Sequence, residues 1–303
     1  MNITFRQLKV FEAVVRHLSF TQAAQELHLS QPAVSMQIKQ FEEAAGLPLF
    51  EQVGKKIFLT HAGKEMHHYC RNIAFELNEA QEVLEQLKGG HRGHLDISVA
   101  TTANYFATRL LAAFARKFPD ITFSLDVTNR ATLLSQLEQN EKDIVIMGRP
   151  PPEMNLETHV FMENPLVVIA PPNHPLANNK SLDLADLANE LFVVREPASG
   201  TRIAMQRFFA ERGIEFKTGM EMTSNEAIKQ SVEAGLGLGI VSVHTLELEL
   251  ETRRLIILDV NQFPILRHWY LVHRHTKRLL PVAEAFREFV MENADKFITN
   301  LEL

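Results

Sequence analysis

The stretch from Ser19 to Gly46, SFTQAAQELHLSQPAVSMQIKQFEEAAG, holds two short amphipathic helical patterns around a tight polar break. A second helix held rigidly across a first is a compact way to present side chains to the major groove of DNA. An earlier helix, over about Thr4 to His17, places Phe5, Leu8, Phe11, Val14, Val15 and Leu18 at three- and four-residue steps, which buries one face. Ser19 and Gln22 have capping-box spacing, and Ala23, Ala24 and Leu27 give the second helix a small-residue side for close approach. Ser30 offers the next N-cap, with Pro32 tolerated in the first turn because that N–H has no helical partner. The third helix then buries Val34, Ile38, Phe41 and Ala45 and ends at Gly46.

The opposite face of the third helix presents Gln31, Pro32, Ser35, Met36 and Lys39. Gln31 and Ser35 can hydrogen-bond base edges, Pro32 and Met36 can touch a thymine methyl, and Lys39 can meet a phosphate. Phe50 to Thr60 alternates as a small hairpin with a basic tip carrying Lys55 and Lys56, which could reach a phosphate or the minor groove as a wing does. Charge does not carry this reading. Residues 1 to 60 hold six basic and five acidic side chains, a net of +1, far from a basic DNA-binding domain. Affinity must come from placed cations, helix N-termini and the use of several copies. A small helical domain with a merely wetted polar face would share the amphipathic helices. The caps, the small-residue contacts and the basic hairpin, in this order, argue against it.

The segment LKVFEAVVRHLSFTQAAQELHLSQPAVSMQIKQFEEAAGLPLFEQVGKKIFLTHAG resembles the N-terminal domain of LysR-type transcriptional regulators. The Ser-Phe-Thr-x-Ala-Ala start, the Ser-Gln-Pro-Ala-Val-Ser helix, the Leu-Phe-Glu turn and the Leu-Thr-x-Ala-Gly entry follow the family's order. The resemblance runs the length of the chain. It implies an α/β protein overall: an N-terminal winged helix-turn-helix over 1–60, a long dimerisation helix over 61–88, a hinge at 89–93, and a C-terminal two-lobed periplasmic-binding-protein-like effector domain over 94–303. Lobe I then comprises 94–164 and 266–303, and lobe II 165–265. Met36 and Gln52 depart from the commonest pattern, in which arginine is frequent at both places. VSMQIKQ, IMGRPP, MENPLVVIAPPNHPL, VVREPASGTRIAM and SNEAIKQSVEAGLGLGIVS look like the subgroup that regulates Calvin–Benson cycle (RuBisCO) operons. That likeness implies a metabolite-responsive activator of carbon-fixation genes. Its partners would be double-stranded DNA with an interrupted inverted repeat, a homodimer assembling to a tetramer, and a small anionic effector such as ribulose bisphosphate, phosphoenolpyruvate or NADPH. RNA polymerase is a further partner left open, and no bound cofactor is expected.

At 303 residues, 46% of them hydrophobic, the chain has length for about two domains with ample cores. No signal-peptide pattern opens it and no apolar run approaches the ~18 residues that span a bilayer, so a cytoplasmic protein with no membrane partner is expected. Cys70 is the single cysteine. It can form neither an internal disulfide nor a cysteine metal cluster, and reads as a small apolar residue. The net charge is −6, and since residues 1 to 92 balance, all of it lies beyond them. From His61 to Leu87 the positions Met66, Tyr69, Ile73, Leu77, Ala80, Leu84 and Leu87 form a narrow coiled-coil seam, on a helix on the order of 40 Å long. Pairing with a second chain fits such a seam better than packing on its own domain.

Beyond Gly93, strand and helix patterns alternate: HLDISVA, NYFATRLLAAFARKF, ITFSLDVT, ATLLSQLEQ and DIVIMG, then a second series from PLVVIAPP to RLIILDV. RHWYLVHR and a last helix from about Pro281 return to the first series. Alternating units of this kind predict parallel sheets covered by helices, with ligands outside the strand C-termini. Candidate effector contacts lie at such junctions: Thr101 and Thr102 after the first strand, Thr128 and Asn129 after the second, Arg149 just past DIVIMG, and Ser199, Thr201 and Arg202 around Gly200. Hydroxyls and free helix N–H groups converge on an anion in such places, although Ser and Thr are favoured there as plain caps too.

An enzyme fits poorly. Gly235-Leu236-Gly237-Leu238-Gly239 lacks G-x-G-x-x-G spacing and precedes a strand, so it reads as a helix exit and tight turn. His67-His68 and His273-Arg274-His275 lack ligand partners at metal spacing, no metal site is expected, and no Gly-x-Ser-x-Gly elbow occurs. A free solute-binding protein would explain the two lobes but not residues 1 to 88. A regulator of sulfur or aromatic metabolism is the remaining alternative.

Overall fold

The computed structural model describes residues 3–54, 56–87 and 93–297, and the chain divides into two compact units, Met1–Leu84 and Glu85–Leu303. In the first unit, helices α1 (Phe5–His17), α2 (Phe20–Glu26) and α3 (Gln31–Ala45) precede a hairpin of β1 (Phe50–Val53) and β2 (Lys56–Leu59), and α4 (His61–Leu87) follows. Side-chain caps start all three opening helices. Ser19 accepts from Gln22 N at 3.3 Å and Ser30 from Ala33 N at 3.4 Å. The two-way box is at Thr4, which accepts from Gln7 N while Gln7 Oε1 accepts from Thr4 N at 2.8 Å. Gly46 ends α3 at φ +73°, a left-handed cap that favours glycine.

The buried residues of α1 are Gln7, Val10, Phe11, Ala13 and Val14, and Leu8 and Val15 pack half-buried against the same core, so the expected stripe holds except at its ends. Phe5 and Leu18 lie exposed at its two ends. The core joins Phe11 to Phe41, Val34 and Ile38 of α3, Ala23 and Ala24 of α2, and Cys70 of α4. Burial, with Glu12 beside it, pushes the Cys70 thiol up to about 12, so it stays protonated and inert.

Glu42 of α3 and Thr60 join the hairpin to the helices. Glu42 Oε1 accepts from Leu49 N and Phe50 N at 2.8 and 3.1 Å. Thr60 Oγ1 donates to Pro48 O at 2.7 Å and accepts from Gly63 N at 3.0 Å. A methyl group on Gly63 would fall 2.0 Å from Leu49 O, which accounts for the glycine of the Leu-Thr-x-Ala-Gly entry. On α4, Tyr69, Ile73, Leu77 and Leu84 are exposed, while Met66 packs on the first unit's core.

The second unit has two five-stranded sheets. Lobe I is built from β3 (Gly93–Ala100), α5 (Asn104–Lys117), β4 (Ile121–Thr128), α6 (Arg130–Glu138), β5 (Ile144–Met147) and β6 (Leu156–Glu163). The chain then crosses to lobe II: β7 (Leu166–Ala170), α7 (Leu184–Leu187), β8 (Leu191–Arg195), α8 (Gly200–Ala210), β9 (Lys217–Met222), α9 (Asn225–Glu233), β10 (Leu238–Ser242), α10 (Glu247–Glu251) and β11 (Ile256–Ile257). It returns through β12 (His268–Arg274) and α11 (Pro281–Asn293). Strand orders are β4-β3-β5-β12-β6 and β11-β7-β10-β8-β9.

The sheets are mixed, which corrects the all-parallel expectation. β3 pairs parallel with β4 and β5, and β8 with β9 and β10, but β12 runs antiparallel to β5 and β6, and β7 antiparallel to β10 and β11. The reversed strands β12 and β7 are the ones that enter each sheet from the other lobe. The glycine run behaves as a helix exit: Gly235 has φ +80°, and a methyl group on Gly237 would lie 2.4 Å from Leu191 O. Among the described residues, no helix is long and apolar enough to cross a membrane.

Gly63→Ala should destabilise the first unit by about 1–3 kcal/mol, since the added methyl meets backbone rather than a flexible side chain. Chemical denaturation followed by circular dichroism measures it, with Gly46→Ala in the same unit, where no atom lies within 4 Å but φ is +73°, as a purely conformational comparison.

Candidate functional site

Two surfaces concentrate polar chemistry, one in each unit. On α3, Gln31, Pro32, Met36 and Lys39 are exposed and Ser35 is half-buried, while Val34 and Ile38 point into the core. Gln31 Nε2 donates to Ser35 Oγ at 2.9 Å. That bond leaves Gln31 Oε1 as an acceptor and the Ser35 hydroxyl as a donor, side by side on the helix face. Lys39 reaches Glu43 only at 4.0 Å across an exposed pair, so its ammonium stays available to a phosphate. Lys56 is exposed on the hairpin, opposite Val53; Lys55 lies outside the described residues. Gln52 donates to Gly54 O at 3.0 Å, bracing the hairpin turn from within.

In the second unit a cavity of about 440 Å³ opens between the lobes. It lies at the C-terminal ends of β3, β4, β5 and β8 and at the start of β12. The N-termini of α6 and α8 and the turn Thr101–Ala103 that leads into α5 meet there, and helix N-termini favour negative charge. Thr101, Thr102, Thr128, Asn129, Arg149, Ser199 and Thr201 all line it. Two of these side chains also serve as caps: Asn129 Oδ1 accepts from Thr132 N at 3.0 Å and Ser199 Oγ from Thr201 N at 3.2 Å.

Arg202 does not line the cavity. The helical period puts Gly200, Ile203, Ala204 and Arg207 on the cavity side of α8, and Arg202 falls off that face. Its guanidinium lies 5.6 Å from the Phe216 ring centre, and Nη1 approaches Arg195 O at 3.5 Å. The cations that sequence reasoning missed are Arg130, Arg195, Arg207 and Arg267. Arg130 directly follows the Asn129 cap, and Arg207 sits seven residues after Gly200 on the same helix, so both carried a local signal. Arg267 carried none, because only the return crossing brings it to the cleft.

Arg267 spans both walls. Nη1 donates to Gly200 O at 2.7 Å, and a methyl group on Gly148 would lie 3.6 Å from Nη2. Burial, then the neighbouring Arg130 and Arg207, push this guanidinium down to about 10. Burial lowers Arg130 as well, with Glu153 opposing. Glu196, the carboxylate on the cavity wall, forks onto Arg195 at 2.7 and 2.8 Å. Arg207 reaches Glu211 at 3.6 Å in an exposed pair. Among the described residues no carboxylate forms an ion pair with Arg130, Arg149 or Arg267. A partly desolvated cluster of like charge is costly unless an anion joins it.

Residues 5–64 match the family model described as bacterial regulatory helix-turn-helix protein, lysR family, and residues 88–295 match the LysR substrate binding domain. The chain belongs to the LysR family of bacterial regulators. The RuBisCO operon transcriptional regulator of Allochromatium vinosum is 58% identical to it over 97% of both chains. The regulatory domain of CcmR from Synechocystis PCC6803, solved in complex with 2-PG, is 40% identical with a TM-score of 0.64, covering 66% of this chain and 97% of that domain. Full-length CbnR, solved with its target DNA, shares the fold at a TM-score of 0.70 and 22% identity, covering 96% of this chain and 99% of CbnR. LysR proteins are transcription regulators rather than enzymes, and they bind DNA and small-molecule effectors.

For the α3 face of this LysR regulator, Gln31→Ala and Ser35→Ala should each relax base discrimination by about 1–3 kcal/mol. The double variant should lose clearly less than the sum, because each side chain holds the other's orientation. Binding to an operator series with single base changes measures both; additive losses would mean two independent contacts.

Proposed function

We propose that this chain is a metabolite-responsive activator of a carbon-fixation (RuBisCO) operon, with α3 as the base reader and the interlobe cleft as the receptor for a small phosphorylated anion. The observation that carries the effector part is the cleft itself, where Arg130, Arg149 and Arg267 line one cavity and form no ion pair with a described carboxylate. Its likeness to the A. vinosum regulator and to the 2-PG-binding CcmR domain supports the pathway and the ligand class. The exposed apolar stripe Tyr69, Ile73, Leu77 and Leu84 on α4 supports pairing with a second copy. A dimer would read an interrupted inverted repeat, and assembly to a tetramer would let one protein hold two sites in a cytoplasmic complex with RNA polymerase nearby. DNA contacts fall to Gln31, Pro32, Ser35, Met36, Lys39, Lys55 and Lys56. Ligand contacts fall to Thr101, Thr102, Thr128, Asn129, Arg149, Ser199 and Thr201, with Arg130, Arg207 and Arg267 added and Arg202 withdrawn. A ligand shifts the lobes, and through them the DNA heads, only by binding one arrangement better than the other.

Calorimetric titration of the full-length protein with 2-PG, ribulose bisphosphate, phosphoenolpyruvate and NADPH, with operator bending followed in parallel, tests this reading. At least one should bind and change the bend. Arg130→Gln and Arg207→Gln should each weaken that ligand about ten-fold, a change of ~1.4 kcal/mol, while ligand-free operator affinity holds. A phosphate monoester gains its second charge near pH 6, and Arg267, held at about 10, stays charged throughout. Binding should therefore tighten from pH 5.5 to 7.5. Heat from none of the four, or arginine variants that bind normally, would sink the effector reading.

A further inference from the structure

One wall of the cleft is joined to the other by a chain of four side chains. Arg195 gives Nε and Nη2 to Glu196, at 2.7 and 2.8 Å, and its remaining Nη1 to Asn225 Oδ1 at 3.0 Å. Arginine has no acceptor, so the oxygen of the Asn225 amide must be the atom that faces it. The amide nitrogen therefore faces the other way, and Nδ2 donates to Thr102 Oγ1 at 2.8 Å. Arg195, Asn225 and Thr102 are 4%, 3% and 6% exposed. Asn225 is the first residue of α9 in lobe II, whereas Thr102 belongs to the turn after β3 in lobe I. Glu196, Arg195 and Thr102 line the cavity; Asn225 stands behind them. Beside it, the Tyr105 hydroxyl donates to Glu226 and Arg109 donates to Glu247, again from α5 to lobe II.

We propose that Asn225 is a positioning residue for the effector: it ties the lobes together and, by occupying an acceptor site on Thr102, leaves that hydroxyl's proton free for a ligand oxygen. The order of charges along the chain makes this a one-way arrangement. Glu196 fixes the Arg195 guanidinium, Arg195 fixes the amide, and the amide makes Thr102 a donor on the cleft wall. This inference rests on the cleft as the effector site.

Asn225→Asp is the discriminating substitution. It keeps the size of the side chain and the oxygen that accepts from Arg195, and an acid at a helix N-terminus is favourable, so the unit folds. Both oxygens now accept, so Thr102 must donate to residue 225 and turn its proton out of the cleft. Calorimetry on the full-length chain with 2-PG and ribulose bisphosphate as probes should show about ten-fold weaker binding, the scale of one charge-assisted hydrogen bond. In a Thr102→Val background the same substitution should change affinity by less than about two-fold, because no hydroxyl remains to turn. An equal loss in both backgrounds would mean that the added charge acts directly on the ligand, and no loss in either would mean that Thr102 does not donate; each result overturns the proposal. If the unsubstituted protein binds neither probe, the effector reading fails first. The tie itself is then read without ligand: Asn225→Ala should speed amide exchange at Thr101–Ala103, and unchanged exchange overturns it.

Discussion

The chain passes between the lobes of its second unit twice, and the two passages are bonded to one another. Asn164 N donates to Arg267 O at 2.7 Å, Leu166 N to Ile265 O at 3.0 Å, and Ile265 N to Leu166 O at 2.9 Å. Much of the rest follows from this double crossing. A strand delivered from the other lobe enters its sheet reversed, so β7 and β12 break two otherwise parallel sheets. The ends of β3, β4 and β5 then face the end of β8 across a gap rather than solvent. Arg267 lies on the returning passage, which is why one guanidinium meets Gly200 on one wall and lies close to Gly148 on the other. Two short segments bonded to one another in this way have the form of a hinge between the lobes.

The electrostatics of the second unit run against its composition. The chain's net charge of −6 lies wholly beyond residue 92, yet the cleft gathers Arg130, Arg149, Arg195, Arg207 and Arg267 around one cavity. Exposed charges more than about 8 Å apart are largely screened at physiological salt, so an approaching anion feels the cleft wall more than the total. The acidic groups are placed where they do other work. Glu196 fixes Arg195, while Glu226 and Glu247 bridge the lobes to Tyr105 and Arg109. Arg267 feels the repulsion of Arg130 and Arg207, which an anion in the cleft would relieve.

Local patterns carried far in this sequence, and tertiary proximity set their limit. Caps at Ser19, Ser30 and Gly46 are written in adjacent residues, and they start and stop helices where their chemistry says. β6 escaped notice because LETHVFME mixes Thr, His and Glu into an edge strand, with only Met162 fully buried, so its hydropathy never rises like that of the buried β5 and β7. The stripe of α1 holds at Leu8, Phe11, Val14 and Val15 and breaks off at Phe5 and Leu18, because burial depends on where neighbours end, not only on period. In the cleft, residues next to strand ends were legible as a class. Arg202 shows the weakness of that logic: being near a helix start does not fix which way a side chain points. Arg267 and Asn225 depend on contacts between segments 67 and 123 residues apart, which no local pattern can encode.

The weakness of each individual contact is itself informative. A head with a net charge of only +1 over its first 60 residues would gain little nonspecific grip on DNA, so the proposed reading depends on placed contacts and on the pairing of copies rather than on bulk charge. The interlobe bonds are modest too. A hydrogen bond such as Asn225–Thr102 contributes about 1 kcal/mol net, a factor of roughly five in the balance between two lobe arrangements. Allosteric couplings are typically about 1–3 kcal/mol, the same scale as one or a few bonds of this kind. The lobes are thus joined at Thr102, Asn225, Tyr105, Glu226, Arg109 and Glu247 by polar contacts, each specific enough to define one arrangement and each small enough to be exchanged for water.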